Sequence, residues 1–85
     1  MKKDDVIVNE YVRKLSDEDL SLLGRKFKQR LSGDMADIAV ILSKDSGIDK
    51  WLLGATSGSE WFDMVEKIDS FVRGEVDRRF GKRES

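Results

Sequence analysis

The chemistry open to this chain is bounded first by two absences: it holds no histidine and no cysteine. With them go the commonest general base, the commonest metal ligand, the thiolate nucleophile and any disulfide. Carboxylates remain. Asp34, Asp37, Asp45 and Asp49 recur at three- to eight-residue spacing, the arrangement through which a hard cation such as magnesium or calcium could be held. That spacing is not the one an EF-hand uses, and Asp34 and Asp49 stand where helix caps are needed. Serines are present, but no base is placed to activate one, and no glycine-rich phosphate loop occurs. The chain therefore reads as non-enzymatic, with no catalytic residue, no cofactor and no metal.

What the residues do offer is recognition. Arg25 to Arg30 contains four cations and no anion, whereas Asp34 to Asp69 holds three lysines and eight acids, a local balance of −5. On a helix turning about 100° per residue, Arg25, Lys26 and Gln29 share a face, Lys28 and Arg30 flank it, and Leu22 falls among them. A leucine ringed by arginine, lysine and glutamine has the composition of the centre of a small protein contact. Leu22, Arg25, Lys26 and Gln29 are accordingly the candidate partner-binding residues. The alternative is nucleic-acid binding, with Arg25, Lys26, Lys28 and Arg30 neutralising phosphates. A solvated basic face near a helix C-terminus is the bland reading of the same residues. Sixteen basic against seventeen acidic residues give a net charge of −1, so the molecule as a whole has no general attraction for polyanions.

The aromatic residues form a second group. Trp51 and Trp61 stand on either side of a loop at 55–59, where they either complete the core or line a groove for a peptide. Phe62 and Phe80 fall on one side of the last helix, away from its main apolar stripe and beside Asp69 and Arg73. An apolar edge of that kind suits burial against a second copy of the chain, so Phe62, Arg73 and Phe80 are the candidate homodimer interface. Residues 36–54 have the outline of a helix-turn-helix, but the register puts Asp49 at an inward apolar position and Gly47 inside the recognition helix. Asp45 and Ser46 resemble the aspartate-serine pair at which acyl carrier proteins take their phosphopantetheine arm. Gly47 replaces the leucine of that family, and no carrier function is carried over.

The elements that must position these residues follow from caps and periodicity. Asp4 or Asp5 caps a first helix reaching about Leu15, with Val8, Tyr11, Val12 and Leu15 on its inner side; a strand at Val6 to Val8 is the rival reading. Ser16, followed by three acids, starts a second helix that runs to about Ser32, buries Leu20, Leu23, Phe27 and Leu31, and stops at Gly33. Gly24 lies on its buried side, where it admits a close neighbour. Asp34 then caps a helix over about 35–45. Its stretch Met35 to Leu42 is polar only at Asp37, so it is expected to be the buried central rod of the domain. Gly47 ends that helix, and Asp49 caps a short one over Lys50 to Ala55.

Ser57 and Glu60 stand in capping-box spacing before a last amphipathic helix over about 60–80. Trp61, Met64, Val65, Ile68, Phe71 and Val72 form its stripe. Beyond Val72 the same side carries Glu75 and Arg79, which predicts final turns that project past the core, steadied by that i,i+4 pair. Residues 1–4 and 82–85 read as frayed tails.

The expected fold is all-α, one compact bundle of four or five helices in a single domain spanning residues 1–85. No apolar run approaches the roughly 20 residues that span a bilayer, which points to no membrane partner and a cytoplasmic location. The expected function is an adaptor or regulator that binds another protein and self-associates through its last helix.

Overall fold

The computed structural model describes residues 3–81, and every regular element among them is an α-helix: α1 (Lys3–Lys14), α2 (Asp17–Gln29), α3 (Asp34–Ser43), α4 (Ser46–Leu52) and α5 (Gly58–Phe80). The long α5 packs against α1, α2 and α4, while α3 leans on α2 and α4 at the periphery. The core is a single cluster drawn from all five helices. Val8, Tyr11 and Val12 of α1 meet Leu20, Leu23 and Phe27 of α2, and Val65, Ile68 and Val72 of α5 close over them. Ile38 and Leu42 come from α3, and Ile48 and Leu52 from α4. Val6 to Val8 is helical, so the rival strand does not form. Lys3 and Asp4 also belong to α1, and the remainder of the expected tails lies outside the described residues.

The expectation of a buried central helix is corrected at α3. Only Ile38 and Leu42 of its apolar residues are fully buried, and Val40 is 58% exposed. The physical reason is size. The molecule measures 39 × 33 × 20 Å, and its shortest dimension is about two helix diameters. A two-layer globule cannot surround any helix, so an all-round apolar segment buries one side and leaves the other in water. The central position falls to α5 instead, whose 23 residues give it the length to touch three neighbours.

Helix boundaries differ from those expected where a rival cap or a distant partner decides them. Ser16 caps α2 as expected, its Oγ accepting from the Asp19 amide at 3.1 Å. The helix nevertheless ends at Gln29, because Arg30 adopts the left-handed conformation at φ 50°, ψ 44°. Leu31, expected in the buried stripe, is left 63% exposed. A non-glycine residue there costs about 1–2 kcal/mol. Arg30 offsets that cost through its side chain, which donates to the Phe27 carbonyl at 3.0 Å and reaches Glu66 at 2.6 Å and Asp69 at 3.0 Å.

Gly33 takes the cap position of α3, and Asp34 bonds backward to the Leu31 amide at 2.8 Å to close the turn. Asp45, rather than Asp49, caps the fourth helix by accepting from the Ile48 amide at 3.0 Å, which draws Gly47 inside α4. At α5, Ser57 wins over Ser59 and accepts from the Glu60 amide at 3.0 Å. Glu60 reaches back to the Thr56 amide and hydroxyl, both at 2.7 Å, tying down the end of the loop. These two bonds, the hydroxyl's foremost, lower the Glu60 pKa from its ordinary value.

The final turns of α5 do not project. Glu75 is only 6% exposed, held by Arg78 at 2.6 Å and Arg79 at 2.7 Å. Arg79 then crosses to the end of α1, donating to the carbonyls of Leu15 at 2.7 Å, Arg13 at 2.9 Å and Val12 at 3.3 Å, and to Asp17 at 3.0 Å. The last carbonyls of a helix lack intrahelical partners, and a guanidinium supplies them here from the far end of the chain. Arg78, with Arg79 next, holds the Glu75 carboxyl at a pKa of about 2, against the upward pull of burial.

Candidate interaction site

Two grooves flank the solvent side of α2, and they divide the residues singled out in the sequence. Leu22 is half-buried and belongs to the smaller cleft, about 230 Å³, walled by Tyr11, Leu15 and Ile41 with Lys14 and Lys44 at its rim. Burial, reinforced by Asp45 and Asp19, pushes the Tyr11 phenol up to about 12. Arg25 and Gln29 are exposed and line the other groove, about 870 Å³, between α2 and α5. Lys26 faces neither. It pairs with Asp37 at 2.9 Å and Asp34 at 3.4 Å across the α2–α3 turn, an arrangement that raises its pKa chiefly through the Asp37 bond. Leu22, Arg25, Lys26 and Gln29 therefore occupy one crest of α2 but do not converge on one pocket.

The basic segment and the acidic stretch that follows it turn out to be partners within the chain. Lys26 takes Asp34 and Asp37, and Arg30 takes Glu66 and Asp69. Arg30 also lies over the Phe27 ring at 5.8 Å. Asp69, 4% exposed, is shared with Arg73, whose Nε and Nη2 reach it at 2.9 and 3.3 Å. Arg25 and Lys28 enter no ion pair among the described residues.

Both free cations look into the α2–α5 groove, whose floor is Gly24 and Val76 and whose α5 wall carries Arg73 and Asp77. The helices meet closely here: a Cβ added at Gly24 would stand 3.5 Å from Val76 Cγ2, in ordinary van der Waals contact, so the spacing leaves room for a methyl group and little more. The α5 half of this groove was not legible as a site in the sequence. Gly24 on the inner side of α2 announced a close helix contact without saying which residues would make it, and the sequence reading assigns Arg73 to a homodimer interface rather than to this groove.

The aromatic residues are more dispersed than their spacing suggested. Trp51 is half-buried against the core and its indole donates to Asp4 at 3.2 Å. Trp61 also packs on the core and meets Phe62 edge-on, with centroids 5.3 Å apart. Phe62 is 51% exposed and Phe80 44%. They share a side of α5, but eighteen positions separate them, about 27 Å along the helix, and the Arg30–Asp69–Arg73 cluster lies between.

Among the described residues no group of three or more carboxylates is arranged to hold a metal, and no helix is long and apolar enough to cross a membrane. Asp34 and Asp37 pair with Lys26 and Asp45 accepts from the Ile48 amide of α4, so these carboxylates do not converge on one point. Comparison of the chain with protein-family models, with curated proteins and with solved structures finds no match.

Proposed function

We propose that this chain is a small non-enzymatic interaction protein, an adaptor or regulator that works by seating the exposed side of α2 against a partner protein. The observation that carries the reading is the contrast within one basic segment. Lys26 and Arg30 are consumed by internal acids, yet Arg25 and Lys28 stand exposed and outside any ion pair among the described residues, beside an apolar floor. A charged rim around a small apolar centre is the anatomy of a protein contact.

The same contrast weakens the nucleic-acid reading. Of Arg25, Lys26, Lys28 and Arg30, two remain to meet phosphates, and affinity built on two contacts falls with a log–log salt slope of only about 2. Self-association through α5 is the second reading, supported by the half-exposed Phe62 beside Trp61.

The test is double charge reversal, Arg25→Glu with Lys28→Glu, followed by affinity capture from native extract under nuclease. Both side chains are exposed and enter no ion pair among the described residues, so the variant should keep its helical circular dichroism and lose a protein that the wild type retains. Capture of the same protein by both would remove this face from the account. Lys26 is unsuited to the test, since reversing it would bring a third carboxylate against Asp34 and Asp37.

A further inference from the structure

The α2–α5 groove has a chemical character specific enough to name its occupant, an inference that rests on the interaction reading above. Two cations outside any ion pair among the described residues, Arg25 and Lys28, line it together with Arg73, which Asp69 already partners, against one carboxylate in the groove, Asp77. Arg73 is held rather than free to collapse: Asp69 accepts from its Nε and Nη2, while the side chain stays 66% exposed and its Nη1 enters no hydrogen bond among the described residues. Arg25 and Lys28 face it from the opposite helix. Between these walls the floor is Gly24 and Val76, apolar and left open where Gly24 presents no side chain. Gln29 adds an amide that can both donate to and accept from a peptide backbone.

We propose that this groove binds an acidic peptide segment of the partner protein, with one apolar side chain on the Gly24–Val76 floor and flanking carboxylates on Arg25, Lys28 and Arg73. Charge complementarity argues for an acidic occupant. Asp77 within the groove and a net charge of −1 for the whole chain argue for a peptide bearing a few acids over a polynucleotide, which presents a phosphate at every step.

The experiment selects twelve-residue peptides from a random phage-displayed library on the 85-residue chain, then measures each synthetic peptide against wild type and the Arg25→Glu/Lys28→Glu variant. The expected result is enrichment of peptides with Asp or Glu around a large apolar residue. Their affinity should fall at least tenfold in the variant, and amide shifts should cluster at 21–29 and 73–77 in nuclear magnetic resonance spectra of the labelled protein. Replacing the peptide's acids by lysine should restore binding to the variant. Selected peptides that are not acidic, or that map to the cleft around Leu22, would overturn the occupant while leaving a protein-binding role in place. If no peptide is enriched, the occupant is likewise overturned. If, in addition, a fluorescein-labelled oligothymidylate binds wild type and not the variant, the protein-binding reading falls with it.

Discussion

Replacing Glu75 by glutamine should cost about 2–3 kcal/mol at pH 7, and most of that cost should disappear in acid. Glu75 is 6% exposed and lies between Arg78 and Arg79, which hold its pKa at about 2 where an unconstrained glutamate sits at 4.5. A carboxyl whose folded pKa lies below its unfolded value stabilises the fold fully only above the unfolded value. As pH falls from 4.5 toward 2, the unfolded chain takes up a proton that the folded chain refuses, and the stabilisation drains away. A shift of this size is worth about 3 kcal/mol, an upper figure because Arg78 is half-exposed and screened by water. At pH 3 roughly half of it remains. The assay is urea unfolding followed by the fluorescence of Trp51 and Trp61, wild type beside Glu75→Gln, from pH 7 to pH 3. A cost below about 0.5 kcal/mol at pH 7, or one that does not change with pH, would refute the argument that this carboxylate is held ionised by its two arginines.

Three further perturbations probe the packing and the surface. At Gly24 an added Cβ meets Val76 Cγ2 at 3.5 Å, an ordinary contact. Gly24→Ala should therefore be neutral or stabilising by up to about 1 kcal/mol through helix propensity, whereas Gly24→Leu should wedge α2 from α5 and cost about 1–3 kcal/mol, both read from thermal melts. At Arg30, alanine loses the links to Glu66 and Asp69 and keeps the left-handed strain, while glycine loses the links but relieves the strain. Arg30→Gly should accordingly be the more stable of the two by about 1 kcal/mol, the reverse of the usual order inside a helix, in equilibrium urea unfolding. Sedimentation velocity of wild type beside Phe62→Asp tests self-association: a wild-type dimer that the substitution converts to a folded monomer supports the α5 contact, and a wild-type monomer at high concentration removes it.

Most of the helical layout was legible because it is local. Ser16 with its three acids, Ser57 with Glu60 and the spacing of Leu20, Leu23 and Phe27 each signal structure within a few residues, and all behave accordingly. Boundaries failed where two local signals competed, as when Asp45 capped α4 across Gly47, and where a distant partner decided the matter. Arg30 ends α2 three residues ahead of Gly33 because Glu66 and Asp69, far along the chain, reward that conformation.

The candidate site divides in the same way. The charge contrast between residues 25–30 and 34–69 was visible in the sequence, but much of it is satisfied inside the fold, and no spacing rule reveals that Lys26 and Arg30 are taken while Arg25 and Lys28 have no ion pair among the described residues. Arg79 is the clearest case of a pair whose local half was legible and whose main role was not. Its i,i+4 spacing to Glu75 predicts a salt bridge, yet its contacts with Val12, Arg13 and Leu15 depend on how the two ends of the chain meet.

The proposed role is tested most directly by a photo-crosslinking amino acid placed at Gln29 in the protein expressed in its native cells, beside the same probe at Lys50 on the exposed side of α4. The account predicts a discrete, nuclease-resistant protein adduct from position 29 that is absent from position 50 and abolished by Arg25→Glu/Lys28→Glu. No adduct from position 29, an adduct indifferent to the charge reversal, or one that nuclease removes would contradict it.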